Sequence, residues 1–171
     1  MDKASEAALK RACGMLEAVL ERQIVLHRAM LEAAGEKRES IIRGDLPALE
    51  AVVSKERELV ARIEDEERKR QAVMPMLRRG LGVGDDVEKL SDIANMTDDP
   101  EKTRLLSLAD ELKTVVEEVR KITRHNSELL KASLEHVDAF LRTVAEAAHP
   151  GNSYRRDGSR PTGPTLIDRN A

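Results

Sequence analysis

The feature that most constrains this chain is a long stretch with nothing in it to stop a helix. From Asp98 to Ala148 there is no glycine and one proline, Pro100, at the very start. Leu105, Leu108, Leu112, Val115, Val119, Ile122, Asn126, Leu129 and Ser133 follow one another at steps of three or four, the alternation of a coiled-coil seam. Thr97 or Asp98 in TDDPEK supplies a cap, and Pro100 falls in the first turn, where a missing N–H has no helical partner to lose. Roughly 50 helical residues at 1.5 Å each span ~75 Å. A compact ball of about 150 residues measures roughly 40 Å across. A helix of that length cannot be enclosed, so the sequence predicts a rod of two or three long helices whose apolar stripe is partly unpartnered from within.

Two further long helices precede it. Leu9, Cys13, Leu16, Leu20, Ile24, His27, Leu31, Ala34, Arg38 and Ile41 form one stripe of a helix over 5–43, weakened by Gly14 and Gly35 at about 1 kcal/mol each. Gly44 suits the left-handed position just past a helix end, Asp45 caps the next helix, and Pro47 sits in its first turn. So short a link forces an antiparallel hairpin. The second helix, 45–79, is expected to face Leu46, Leu49, Val53, Val60, Ile63, Met74 and Leu77 inward. Its stretch EDEERKRQ (64–71) has no large apolar residue and is expected to be solvated. GLGVG (80–84) reads as a flexible joint, followed by a short helix over 85–95 using Val87, Leu90 and Ile93, and then the long helix, 98–148. The fold class is all-α: an elongated antiparallel helical bundle with coiled-coil character and a disordered C-terminal tail. Residues 1–149 form the helical domain. The tail, 150–171, holds three Pro, three Gly, scattered charge and a net +2 from Arg155, Arg156, Arg160 and Arg169 against Asp157 and Asp168.

Composition narrows the function classes. Only Phe140 and Tyr154 are aromatic among 171 residues, which disfavours an all-β fold. The net charge of −3 gives no basic stripe for nucleic acid. No apolar run is long enough to span a bilayer, and the charged start MDKASEAALKRA is unlike a signal peptide. The single Cys13 excludes an internal disulfide and fits a reducing cytosol.

Chemistry is sparse. Glu146 and His149 have the Glu-x-x-His spacing of di-metal bundles, but once, and against Pro150, so no metal is expected. His125 on the long helix is the best candidate for a phosphorelay histidine, yet no glycine follows it to admit a partner domain. GLGVG lacks the lysine of a phosphate loop, and Cys13 lies on an apolar stripe, where a buried small hydrophobe is the simpler reading. No catalytic residue and no cofactor are expected.

Two features point to binding. Asn126 on an apolar seam either fixes register or is a partly exposed polar residue. Beyond it the apolar face widens to Leu129, Leu130, Leu134, Val137, Phe140, Leu141 and Val144. This face either packs on the first two helices as core or forms a groove for an amphipathic helix of another protein.

IIRGDLPALEAVVSKERELVARIE (41–64), HNSELLKASLEHVDAFL (125–141), SYRRDG (153–158) and LIDRNA (166–171), in that order, resemble the FlgN-type flagellar export chaperones. The resemblance implies a cytoplasmic chaperone of type III secretion. Such a chaperone binds the C-terminal helices of hook–filament junction proteins before export and delivers them to the export gate. On that reading the seven residues from Leu129 to Val144 are the client site. Tyr154, with Arg155 and Arg156, is the candidate for docking to the export machinery, set against a chance aromatic in a mobile tail. The alternative is a structural coiled-coil scaffold that self-associates into a homo-oligomer.

Overall fold

In the computed structural model, residues 3–84, 90–97 and 100–148 are described. They form four helices, α1 (Lys3–Arg43), α2 (Leu46–Leu81), α3 (Leu90–Asn95) and α4 (Glu101–Ala148). The all-α class is as expected. By packing the chain divides into two units, Met1–Leu129 and Leu130–Ala171.

The α1–α2 hairpin is made by the chemistry of its link. Gly44 takes φ +66, and Asp45 accepts a hydrogen bond from the Ala48 N–H at 3.0 Å, so an otherwise unpaired donor of the first turn is satisfied. At the other end of α2, Gly82 takes φ +70, and the N–H of Val83 bonds back to the Arg78 carbonyl. α2 therefore runs two residues past its expected end. It also carries Pro75 inside it, exposed between the buried pair Val73–Met74 and the buried Leu77. A proline there gives up one helical hydrogen bond, which the burial of its neighbours offsets.

Within the first unit, cross-links give each helix a direction. Arg22 meets Glu66 and Lys37 meets Glu56, so α2 runs antiparallel to α1. Lys10 meets Glu101, Arg104 meets Glu17 and Glu21, Arg28 meets Glu111, and Ala34 meets Asn126, so α4 runs parallel to α1 and antiparallel to α2. The result is an up-down-up bundle without a crossover. Thr97 does not cap α4: its hydroxyl donates to the Ala94 carbonyl at the end of α3.

Two apolar clusters fill the bundle. One joins Leu16, Leu20 and Ile24 of α1 to Val73, Met74 and Leu77 of α2, Ile93 of α3, and Leu105 and Leu108 of α4. The other joins Leu26, Met30 and Ala33 to Val52 and Leu59, with Ile63 and Val119 against them. Gly80 sits where α2 closes on α1, and a Cβ there would lie 3.2 Å from that of Leu9. Cys13 is buried, and that burial pushes its thiol up to about 11.

Between the clusters lies a polar layer, and here the expectation that residues 64–71 are solvated holds for the exposed Glu64, Arg68, Lys69 and Gln71 but is corrected at Glu66. Glu66 is 7 % exposed. It accepts from Arg22 Nε at 2.9 Å and Lys69 Nζ at 2.8 Å, which holds its carboxyl below the usual range. Glu67 accepts two bonds from Arg70 at 2.8 Å and one from Gln23 at 3.1 Å, and Arg70 above all lowers it to about 2. A buried carboxylate is tolerated when paired in this way. The inward face of α2 is corrected with it. Val52, Leu59, Glu66 and Val73, at seven-residue steps, are buried, whereas Leu46 and Val60 are exposed. Arg38, expected on the α1 stripe, is exposed as well.

Candidate helix-binding face

α4 is amphipathic along its whole length, but its two parts differ in burial. At 100° per residue, Leu105, Leu108, Leu112, Val115, Val116, Val119 and Ile122 fall within an arc of about 120°. In the first unit that arc is buried or half-buried against α1 and α2. Asn126 ends it: 4 % exposed, it donates from Nδ2 to the Ala34 carbonyl at 2.7 Å. α1 has nine residues left beyond Ala34 before it stops at Arg43. Leu129 is half-buried.

In the second unit, Leu130, Leu134, Val137, Phe140, Leu141 and Val144 also share an arc of about 120° by the same period. All six are exposed, from 36 % for Leu130 to 63 % for Phe140. Ser133, between Phe140 and Val144 on the arc, is half-buried, and every other residue from Lys131 to Ala148 is exposed. The flanks of the arc are unlike. Lys131, Asp138 and Arg142 project on the Leu134 side, while the Phe140 side carries Ala132, His136, Ala139 and Thr143. Thr143 turns its hydroxyl back to the Ala139 carbonyl at 3.0 Å, so it offers a small surface to a neighbour. Contiguous exposed apolar surface of this kind makes the arc a candidate interaction site.

A family model described as FlgN protein matches residues 15–162. The chain belongs to the FlgN family. It is thereby placed, in general terms, among the flagellar export chaperones, a family of chaperones rather than of enzymes. The match includes the hairpin, α4 and the SYRRDG segment that carried the resemblance, and ends before LIDRNA. No curated protein and no solved structure matches the chain.

For this FlgN-family chain the remaining candidates fall out as follows. Tyr154, Arg155 and Arg156 lie outside the described residues, as do His149 and the rest of 149–171. His125 is exposed, and His27 donates from Nδ1 to the Gln23 carbonyl at 2.8 Å. Among the described residues no cluster of metal-ligating side chains occurs, and no helix is long and apolar enough to cross a membrane. One surface escaped the sequence reading: a cavity of about 310 Å³ on the α1–α2 hairpin, with Met15, Ala18, Ala72 and Met76 along it and Arg22 and Lys69 at its end. Both cations are paired to Glu66. Its signal was the pairing of small and exposed methionine residues on facing helices, which only the correct hairpin register brings together.

Proposed function

We propose that this chain is a cytoplasmic export chaperone. Its α4 face, Leu129, Leu130, Leu134, Val137, Phe140, Leu141 and Val144, binds the C-terminal amphipathic helix of hook–filament junction proteins. Binding keeps those clients from assembling before export and carries them to the flagellar type III export gate. The observation that carries this reading is the exposure of six large apolar side chains on one arc of a formed helix. Family membership supports the chaperone role in general, and the arc supports a helix as the thing bound.

The physics suits a carrier. A client's terminal helix polymerises after secretion, so its own apolar face has to be covered beforehand. Burying a Leu- or Phe-sized side chain completely contributes about 1.5–3 kcal/mol. These six are already about half covered by their own helix, and association itself is costly. The net affinity is then moderate, as a complex that must be released at the gate requires. Tyr154, with Arg155 and Arg156 after it, supplies the docking contact for that gate, a lone aromatic being a typical anchor of short linear motifs.

Calorimetric titration of the full chain with a peptide copying a junction protein's last helix tests the reading. Saturable binding that Leu134→Asp and Phe140→Asp weaken is expected. A chain that forms stable dimers in light scattering and ignores the peptide would be a self-associating scaffold instead. Removing residues 150–171 is expected to leave peptide binding intact and impair delivery.

A further inference from the structure

We infer that, before a client arrives, the exposed face of α4 is covered by the same face of a second copy of this chain, the two helices running antiparallel. This rests on the helix-binding reading of the face and adds how the free protein guards it. Leu130, Leu134, Val137, Leu141 and Val144 follow one another at steps of four and three, the repeat of a two-stranded seam. By the helical period they occupy about 80° of the helix. All five lie in the second unit and are exposed. When Leu134 of one copy is set opposite Val137 of the other, Leu130 falls opposite Leu141, and the two-fold axis repeats both contacts. Phe140 then lies beside Ser133 of the other copy, a large side chain against a small one.

The flank of the stripe selects this pairing. Reversing one helix sets the Leu134 side of each copy against the same side of the other, where charges fix partner and orientation. Lys131 and Asp138 stand there seven residues apart with opposite signs, so Lys131 of each copy meets Asp138 of the other, twice across the pair. Sliding the copies by one heptad would set Asp138 against Asp138 in one direction and Lys131 against Lys131 in the other. A parallel pair would set the two charges beside the uncharged Asn126 and Ser133. Glu135 approaches Lys131 at 4.0 Å on its own helix, but these side chains are 70 % and 80 % exposed, so that pair holds the lysine weakly. Glu135 and Arg142 stand one column further out and add one charge of each sign per copy. About nine residues a side take part, against about 20–30 in a stable interface, so the dimer is weak and a client helix displaces it.

Analytical ultracentrifugation of the full chain over a concentration series, with and without a peptide copying a junction protein's last helix, decides this. The expected result is a reversible monomer–dimer equilibrium that the peptide shifts to complexes of one chain and one peptide. Lys131→Glu and Asp138→Lys, each alone, are expected to weaken the dimer about fivefold. Combined in one chain they restore it, which also shows that the single variants fold. Monomers at every concentration that still bind the peptide would overturn the dimer and leave the proposed function standing. Dimers indifferent to both charge changes would place the contact elsewhere and overturn the inference in the same way. Dimers that follow the charge pattern but exclude the peptide would instead overturn the proposed function and leave the pairing intact.

Discussion

Asn126 Nδ2 donates to the backbone carbonyl of Ala34 across 2.7 Å, the innermost polar link between α4 and α1. Both residues are buried, at 4 % and 1 % exposure, so the amide reads the position of one carbonyl on the neighbouring helix. A lone amide among apolar neighbours fixes register because any slip strands it without a partner.

Asn126→Asp tests that reading. An ionised carboxylate offers no donor to the Ala34 carbonyl and is itself buried, so the variant is expected to lose about 2–3 kcal/mol at pH 7. Protonated, the carboxyl can donate again. Its folded-state pKa is therefore raised, and the stability it lends is present in acid and lost as pH rises. Urea unfolding at pH 7 and pH 4 should show a larger deficit at pH 7. An equal deficit at both would mean that the amide donor is immaterial.

The two parts of α4 should respond differently to substitution. Leu105 is fully buried, and Leu105→Ala is expected to cost about 2–5 kcal/mol in chemical unfolding. Leu134 and Phe140 are 59 % and 63 % exposed, so Leu134→Asp and Phe140→Asp should stay within about 0.5 kcal/mol of the parent. A collapse of the fold in either variant would make these residues core.

Glu67 makes a prediction in acid. Arg70 chiefly, with Gln23 and Gln71, holds its pKa at about 2 against 4.5 for a free side chain. Because the folded-state value is the lower one, the stability it contributes is complete above about pH 4.5 and disappears as pH falls toward 2. Glu67→Gln should be less stable than the parent at pH 7, and the two unfolding midpoints should converge between pH 4.5 and 2. Parallel curves would assign the ion pair no role.

Three glycines separate helix propensity from backbone conformation. A Cβ at Gly14 or Gly35 meets nothing within 4 Å, and neither has positive φ, so Gly14→Ala and Gly35→Ala are each expected to gain about 0.5–1 kcal/mol. Gly44 has φ +66, where a side chain is strained, and Gly44→Ala should lose about 1 kcal/mol. Thermal scans of the three variants check both signs.

The hairpin was legible because GDLP combines a left-handed glycine, a capping aspartate and a first-turn proline, each with one natural place. α4 was legible because nothing in it breaks a helix. The face of α2 was not. Val53, Val60, Glu67 and Met74 form a column at seven-residue steps, and so do Val52, Leu59, Glu66 and Val73 one position earlier. Both columns are three parts apolar with a glutamate third, so periodicity cannot choose between them. The buried column is the one whose glutamate meets a cation of the facing helix: Arg22 pairs with Glu66 from 44 residues away. The burial of Glu66 was illegible for the same reason, since a carboxylate enters a core only when a distant cation comes with it. At the candidate face, the apolar pattern from Leu129 to Val144 was plain in the sequence, while its exposure was not, because an apolar stripe reads the same whether or not anything covers it.

The continuity of α4 has a last consequence. Starting a helix is the improbable event, and extending one already begun is easy. Residues 130–148 inherit their winding from the turns anchored beside α1, whereas a peptide of those nineteen residues alone would spend much of its time as coil. The bundle thus acts as a template that keeps a bare segment wound before anything arrives to touch it.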